Sequence, residues 1–236
     1  MKHTLLLCIS FILCGSISLS YSLGQQDNHA PVVKISAPAN NASYSPGSQV
    51  AYQVNVSDKE DGDSRYNEIN GKEVVTEVRF VPNKNKLNAL LKNNSDADPP
   101  GLAVIRQSNC FNCHNFESKA LGPSFEDVSK KYSAMKSAPD TLIKRIKNGS
   151  VGVWGREKMP SHPELSAVQI RNAVMWILKD SSKPGIDYYN GLSGIIWLPA
   201  DKKGIYVITS SYVDHGLKTA PAKHLEGRDR ITISVK

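Results

Sequence analysis

Two cysteines and a histidine form the most informative spacing in the sequence. Cys110, Cys113 and His114 stand in a C-x-x-C-H array within the stretch Ser-Asn-Cys-Phe-Asn-Cys-His. Two thiols at this spacing can add to the two vinyl groups on one side of a haem, and the adjacent imidazole then lies over the iron as a ligand. The array therefore predicts covalent c-type haem attachment. A C-x-x-C pair without the histidine would fit a redox dithiol or half of a zinc site equally well.

Two further stretches offer what the iron needs besides the first imidazole. Pro123 ends a tight Leu-Gly-Pro turn that can present a carbonyl to the second ring nitrogen of His114, which would fix the tautomer of the ring. Met159, just before Pro160, offers a thioether for the opposite face of the iron. These stretches favour haem over zinc at the C-x-x-C-H array.

Other side chains compete with Met159 for that opposite position. His162 lies three residues further along and would give a bis-histidine site. Met135 falls in a polar loop, and Met175 lies in an apolar helical pattern that is typical of a core residue. Trp154 is predicted either to line the haem or to fill the core, with burial as the default.

Taken in order, these motifs resemble a known family. Residues 97–182 resemble a small bacterial class I cytochrome c, with matching runs at 109–114, 122–125, 152–155, 159–160 and 176–178. The resemblance implies an all-α domain, one covalently attached haem c, and His114 and Met159 as the metal ligands, with Pro123 and Trp154 beside the haem. It also implies transfer of single electrons between redox partners. An iron with both positions filled has none open for oxygen or peroxide, which favours an electron carrier over an enzyme.

Two other functions stay open from the sequence. A haem enzyme or sensor of the peroxidase kind would require Met159 to be displaced from the iron. A binding protein would use the flanking β-rich segments to grip a polysaccharide or a protein, although no exposed aromatic platform is evident in them. For the carrier, the predicted partner is a redox protein, and an extracellular quinoprotein dehydrogenase is suggested by resemblance alone.

The first 22 residues predict a signal peptide. Lys2 precedes an apolar run at 5–14, and small residues follow through Ser22. The run is too short to span a bilayer comfortably, so the sequence predicts a periplasmic or exported protein with no membrane span. Cys14 is a candidate lipoprotein anchor, but the bulky Leu13 before it makes an anchor the less favoured alternative.

The net charge of +7 bears on the partner. The lysines are scattered instead of gathered into one basic tract, which argues against nucleic-acid binding. A positive surface that docks an acidic redox partner is the functional interpretation, and a merely solvated surface is the alternative.

Strand-like patterns with period two flank the helical segment on both sides. They fall at 31–35, 50–56 and 74–81 before it, and at 195–198, 205–213 and 231–235 after it. Residues 30–84 and 190–236 resemble the two halves of a bacterial Ig-like or polycystic-kidney-disease-type β-sandwich. Neither half can easily close a core alone, whereas together they reach about 100 residues, the size of one such sandwich.

The predicted fold class is therefore multidomain, with the all-α cytochrome c domain inserted in a discontinuous all-β Ig-like sandwich. The alternative is an N-terminal sandwich, a cytochrome and a separate β-rich tail. Residues 83–100 are polar and predict a linker. The acidic turn with Asp58, Glu60, Asp61 and Asp63 is a candidate calcium site, although a solvated turn is more common.

Overall fold

The computed structural model describes residues 27–92, 97–220 and 223–236. The predicted signal peptide at 1–22, with Cys14, lies outside the described residues. Within those three ranges, none of the helices combines the length and apolar character needed to traverse a bilayer.

The chain runs from strands through helices and back to strands. The first strands are β1 (Val32–Ala37), β2 (Ala42–Tyr44), β3 (Gln49–Asp58), β4 (Gly62–Asp63) and β5 (Val75–Val81). The helices are α1 (Lys84–Lys92), α2 (Pro100–Gln107), α3 (Phe125–Tyr132), α4 (Ala138–Asn148) and α5 (Ala167–Lys179). The last strands are β6 (Ile186–Asn190), β7 (Ser193–Trp197), β8 (Gly204–Val213) and β9 (Glu226–Val235).

Strands from before and after the helices share both sheets. In the first sheet, β3 pairs with β1 and β4, which precede the helices, and with β7, which follows them. The second sheet has the order β2-β9-β8-β5-β6, so β5 lies between two strands from the far side of the helical segment. All of these pairs are antiparallel except β2 with β9.

Alternation along the strands fills the space between the two sheets. Val50, Tyr52, Val54 and Val56 of β3 are buried there, in one cluster with the inward residues of β8 and β9. Each such apolar side chain stabilises the fold by about 1.5–3 kcal/mol. The buried cluster draws on both β-rich segments, so each completes the core of the other. Ig-like sandwiches often contain a tyrosine corner, in which a tyrosine hydroxyl bonds to nearby backbone. The hydroxyl of Tyr206 has no hydrogen-bond partner among the described residues, so Tyr206 does not form one.

Three elements differ from the sequence-based expectations. β6 begins at Ile186, before the predicted boundary at 190, because its residues pair with β5. α1 occupies half of the predicted linker, although it contains no buried residue. β2 lies between the strands predicted at 31–35 and 50–56, where no strand was predicted, and it is held by the edge of β9.

The helical segment is defined by a capped last helix and by a close crossing of that helix with α2. α5 begins with a capping box, in which Ser166 and Gln169 satisfy each other's backbone donors. α2 crosses α5 at Gly101, where a Cβ would lie 2.3 Å from the carbonyl oxygen of Asn172. Only glycine permits this approach, which fixes α2 against the last helix directly before the cysteines.

The outer face of the second sheet packs against the helices. Val75 of β5 and Tyr188 of β6 belong to the same buried cluster as the helical core. Arg106 of α2 reaches the sheet, where its Nη1 lies 2.9 Å from the Ser211 hydroxyl and 3.2 Å from the Glu226 carboxylate. The helical segment and the sandwich therefore share both apolar and ionic contacts.

Protein donors occupy much of the acidic turn, although the second carboxylate oxygen of Asp58 has no hydrogen-bond partner among the described residues. One oxygen of Asp58 accepts the backbone N–H groups of Glu60 and Asp61, and Asp63 pairs with Arg65. The described part of the chain contains no group of three or more His, Cys, Asp or Glu side chains arranged to bind a metal ion. The structure therefore gives the candidate calcium site no support.

The first sheet carries one large exposed aromatic side chain on its outward face. Trp197, on the outward face of β7, is 62% exposed, and Ile195 lies two residues before it on the same face. Both side chains lie on the first sheet, whereas the helices pack against the second.

Candidate functional site

A tight turn brings the two cysteines and the histidine together. Cys110–Asn112 form a short 3-10 turn that follows Asn109, whose backbone is left-handed with φ 56°. The backbone N–H of His114 donates to the Cys110 carbonyl oxygen at 3.0 Å. As a result, Cys110, Cys113 and His114 all line one cavity.

The ring of His114 is fixed on one side. Its Nδ1 lies 2.7 Å from the carbonyl oxygen of Pro123, which is the contact expected from the Leu-Gly-Pro turn. Phe125 stacks on the imidazole with ring centroids 5.4 Å apart. Because the carbonyl can only accept, Nδ1 carries the proton and Nε2 is the nitrogen available to a metal. Burial lowers the pKa of His114 and outweighs the opposing hydrogen bond to Pro123, so the neutral ring is favoured.

The loop between His114 and α3 is held by its own backbone. The N–H of Gly122 donates to the Cys113 carbonyl at 2.7 Å, and the N–H of Phe125 donates to the Asn115 carbonyl at 3.0 Å. Ser124 then caps α3 by accepting the N–H of Asp127. The position of Pro123 relative to His114 is therefore determined by the whole loop.

The cavity is open on one side and mostly apolar. Its volume is about 170 Å³, and its walls come from α2, α3, α4, α5 and the segment before α5. Met159, His162 and Trp154 line it together with the C-x-x-C-H residues, whereas Met135 and Met175 do not. The structure therefore keeps two of the sequence-derived alternatives for the second axial position, Met159 and His162.

Met159 is presented by a small hairpin. Ser150 and Met159 exchange two backbone hydrogen bonds, of 3.1 and 2.8 Å, and the hairpin closes where the N–H of Gly152 donates to Gly155. Gly149, with φ 81°, turns the chain out of α4, and a Cβ there would lie 2.8 Å from the Met159 carbonyl oxygen. Trp154 lies at the tip, where the ammonium of Lys131 is 4.4 Å from its ring centre.

The donor set and the cavity fit a haem c. Burial raises the pKa of the Cys110 thiol to about 12, which is the opposite of the lowered pKa that a redox dithiol requires. One side of the cavity offers two thiols and a neutral imidazole, while the hairpin offers a thioether. Nδ1 of His162 lies 2.8 Å from Glu164, so one of its ring nitrogens is already engaged.

Several residues at the site were missed by sequence reasoning. Arg145 and Lys158 line the cavity and make its rim basic. The sandwich also reaches the loop after His114, where the Asn190 amide donates to the Asn115 side chain at 3.1 Å. No local pattern marks Asn190, because its partner lies 75 residues away.

Comparisons with known proteins find relatives that match about a third of this chain. The family described as "Cytochrome C oxidase, cbb3-type, subunit III" matches residues 97–177. Cytochrome c-551 from Allochromatium vinosum is 36% identical over 77 residues, which are 33% of this chain and 82% of that protein. Cytochrome c-552 from Hydrogenobacter thermophilus is 38% identical over 75 residues, which are 32% of this chain and 76% of that protein. The crystal structure of wild-type Nitrosomonas europaea cytochrome c552 is 35% identical over 33% of this chain and 96% of that chain, with a TM-score of 0.32.

Proposed function

Since this chain belongs, through residues 97–177, to the class I cytochromes c, we propose that Cys110, Cys113, His114 and Met159 bind its single haem c. The protein is an electron-transfer cytochrome with one covalently attached haem, and it is a carrier instead of an enzyme. When bound, the haem supplies a one-electron couple at its iron.

One observation carries the residue assignment. A single apolar cavity gathers both thiols, the imidazole and one thioether, and the Pro123 carbonyl leaves only Nε2 of His114 free for a metal. In this proposal the two cysteines anchor the cofactor by thioether bonds. Pro123 keeps the His114 ring oriented and basic, and Trp154 covers the cavity mouth beside Met159.

Met159 is favoured over His162 as the second ligand. The Met159 side chain is half buried in the cavity wall and makes no hydrogen bond among the described residues, and the backbone of Met159 is held by two hydrogen bonds to Ser150. His114 and Met159 would hold the iron from two sides when the haem is bound, which would suit electron transfer and leave no open position for a peroxide. A haem enzyme or sensor is therefore disfavoured.

The basic rim supports an acidic redox protein as the partner. Lys131, Arg145 and Lys158 lie at or beside the cavity mouth, with Glu157 as the one acidic residue in the lining. Opposite charge on a partner would accelerate and orient the encounter. An extracellular quinoprotein dehydrogenase fits this chemistry, and the predicted signal peptide supports a periplasmic or exported location.

We also propose that the strands form one discontinuous Ig-like sandwich with the cytochrome inserted between β5 and β6. The support is the pairing of these two strands as antiparallel neighbours, with Arg79 opposite Ile186. A chain in which a short turn replaces residues 83–184, with Val75 and Tyr188 changed to threonine, is then expected to unfold cooperatively. A non-cooperative transition would contradict a self-sufficient sandwich.

The haem assignment is tested by absorption spectroscopy of protein matured in a host that assembles c-type cytochromes. We expect a c-type α-band on reduction and, in the oxidised protein, the weak charge-transfer band of methionine ligation. Met159→Ala should abolish that weak band while the covalent haem stays bound, and His162→Ala should leave it in place. Colourless protein would refute the haem assignment, and loss of the band in His162→Ala alone would refute the choice of Met159.

A further inference from the structure

We propose that strand β6 of the sandwich positions and shields the histidine side of the haem site, so that the sandwich tunes the reduction potential of the cytochrome. This inference rests on the proposed function. It gives the sandwich a role at the redox centre, in addition to any role in docking or spacing.

A continuous series of aromatic contacts leads from β6 to the imidazole. The ring of Tyr188 lies 5.4 Å from Phe116 and 5.3 Å from Trp176, measured between centroids. Both of those rings contact Phe125, at 5.9 and 6.5 Å, and Phe125 stacks on His114. Tyr188 is therefore separated from the axial histidine by two layers of rings.

A polar contact from the same strand holds the adjacent loop. The Asn190 amide donates to the side-chain oxygen of Asn115, the residue that follows His114. The carbonyl of Asn115 accepts the N–H of Phe125, the residue that stacks on the imidazole. β6 thus contacts the loop at its start and, through Phe116, at the wall behind the ring.

The two side chains act together because they face the same way. Tyr188 and Asn190 are two residues apart on a strand, so both project from the outer face of the second sheet. Tyr188, Phe116 and Trp176 are almost completely buried in the intact chain. Without β6, the rings of Phe116 and Trp176 would face water.

The effect of this shielding on the reduction potential follows from the charge of the iron centre. The oxidised centre carries one more positive charge than the reduced centre, and a dry environment disfavours the extra charge. Excluding water behind His114 therefore raises the reduction potential. Holding the loop keeps the Pro123 carbonyl on Nδ1, so the Nδ1 proton is protected from exchange.

The test uses the haem-loaded full chain. At the ambient potential that leaves the wild type half reduced, Tyr188→Ala should lower the ratio of reduced to oxidised protein by about threefold or more. Tyr188→Phe keeps the ring and should restore the wild-type ratio. In Asn190→Ala, exchange of the His114 Nδ1 proton, followed by NMR of the reduced protein, should accelerate by about tenfold.

The control is Trp197→Ala, an equally drastic aromatic truncation on the other sheet, which should change neither readout. Asn190 is only partly buried, so its variant tests the proposal even where loss of the Tyr188 ring prevents folding. An unchanged exchange rate in Asn190→Ala, with an unchanged potential in any folded Tyr188→Ala protein, would overturn it. The c-type spectrum of the wild type would survive that result, which separates this failure from a failure of the proposed function.

Discussion

The glycine between Leu121 and Pro123 lies against the ring that the proposal assigns to the iron. A Cβ on Gly122 would lie 2.6 Å from Cε1 and 2.9 Å from Nδ1 of His114, closer than such atoms approach in folded proteins. The ring cannot yield without lengthening its hydrogen bond to Pro123. Gly122 is therefore needed because it has no side chain. Its backbone is not left-handed, so conformational freedom is not the reason.

Gly122→Ala is accordingly expected to displace the His114 ring. The holoprotein should lose about 1–3 kcal/mol of unfolding free energy, the usual cost of overpacking. Its His114 Nδ1 proton should also exchange faster, because the Pro123 carbonyl no longer protects it. Lys119→Ala, an exposed change in the same loop, is the control. Equal midpoints and equal exchange for the two variants would contradict the steric argument.

His215 makes the sandwich sensitive to pH. Partial burial lowers the pKa of this ring, but the carboxylates of Glu73 and Asp61 outweigh it, so the pKa lies above its ordinary value. Nε2 is 2.9 Å from Glu73 and Nδ1 is 3.3 Å from Asp61. The folded state therefore favours the protonated ring.

The sign of the pH effect follows from linkage. A raised pKa in the folded state gives stability that is fully present below the unfolded pKa and is lost as pH rises through the folded value. The stability difference between wild type and His215→Gln should therefore be largest in mild acid and shrink above neutral pH. Urea unfolding across that range measures it. A difference that grows with pH would contradict the two ion pairs.

At the residue scale, local chemistry was predictable and distant chemistry was not. The C-x-x-C-H array and the Pro123 carbonyl lie within one short loop, so their spacing alone specifies the contact with His114. Met159 and His162 both reach the cavity, and the sequence spacing cannot separate them. Asn190 carries no signal at all, because only the pairing of β5 with β6 brings it to the loop.

Among the elements, α2 is tied to the sandwich by a buried cation. The side chain of Arg106 is 2% exposed, and its Nη1 lies 2.9 Å from Asp98 and 3.2 Å from Glu226. Nε and Nη2 have no partner among the described residues, so the contacts through Nη1 and the charge itself carry the attachment. Removing the Arg106 charge would leave these two partly buried carboxylates with less compensation.

Arg106→Ala should therefore destabilise the protein by about 3 kcal/mol. The reason is that Asp98 and Glu226 would keep only Arg228 as a cationic partner. The matched control is Lys130→Ala, which breaks an exposed pair with Glu126 one helical turn away and should leave the urea midpoint near that of the wild type. Similar midpoints for the two variants would show that burial of the Arg106 pairs contributes nothing.

Long elements with a clear period were predicted well, and short ones were not. Alternation identified β3, β5 and β8. β6 was missed because five residues after a Pro-Gly pair carry too little alternation to stand out. Its place is set by the ladder with β5 and by Tyr188 in the helical core, both of which are tertiary contacts.

For the whole molecule, the sandwich leaves the cavity mouth uncovered. None of the described residues in the two sheets lines the cavity. The second sheet packs instead behind the histidine side, on α2, α5 and the loop that carries Phe116. A partner can therefore approach Trp154 and the basic rim directly, without displacing the sandwich.

The positive charge of the cavity rim should control the rate of electron exchange with charged reagents. Reversing Lys131 and Lys158 to glutamate should slow oxidation of the reduced protein by ferricyanide by about tenfold at low salt, because an anionic reagent is no longer attracted to the mouth. The effect should shrink as ionic strength rises and the charges are screened. Oxidation by a cationic cobalt(III) chelate should accelerate instead.

The control reverses Lys223 and Lys236, two exposed lysines of the sandwich, which changes the net charge equally but away from the cavity. If both double variants slow ferricyanide alike, net charge governs the encounter and the rim has no special role. A loss specific to Lys131 and Lys158 would locate electron exchange at the face where the hairpin presents Met159.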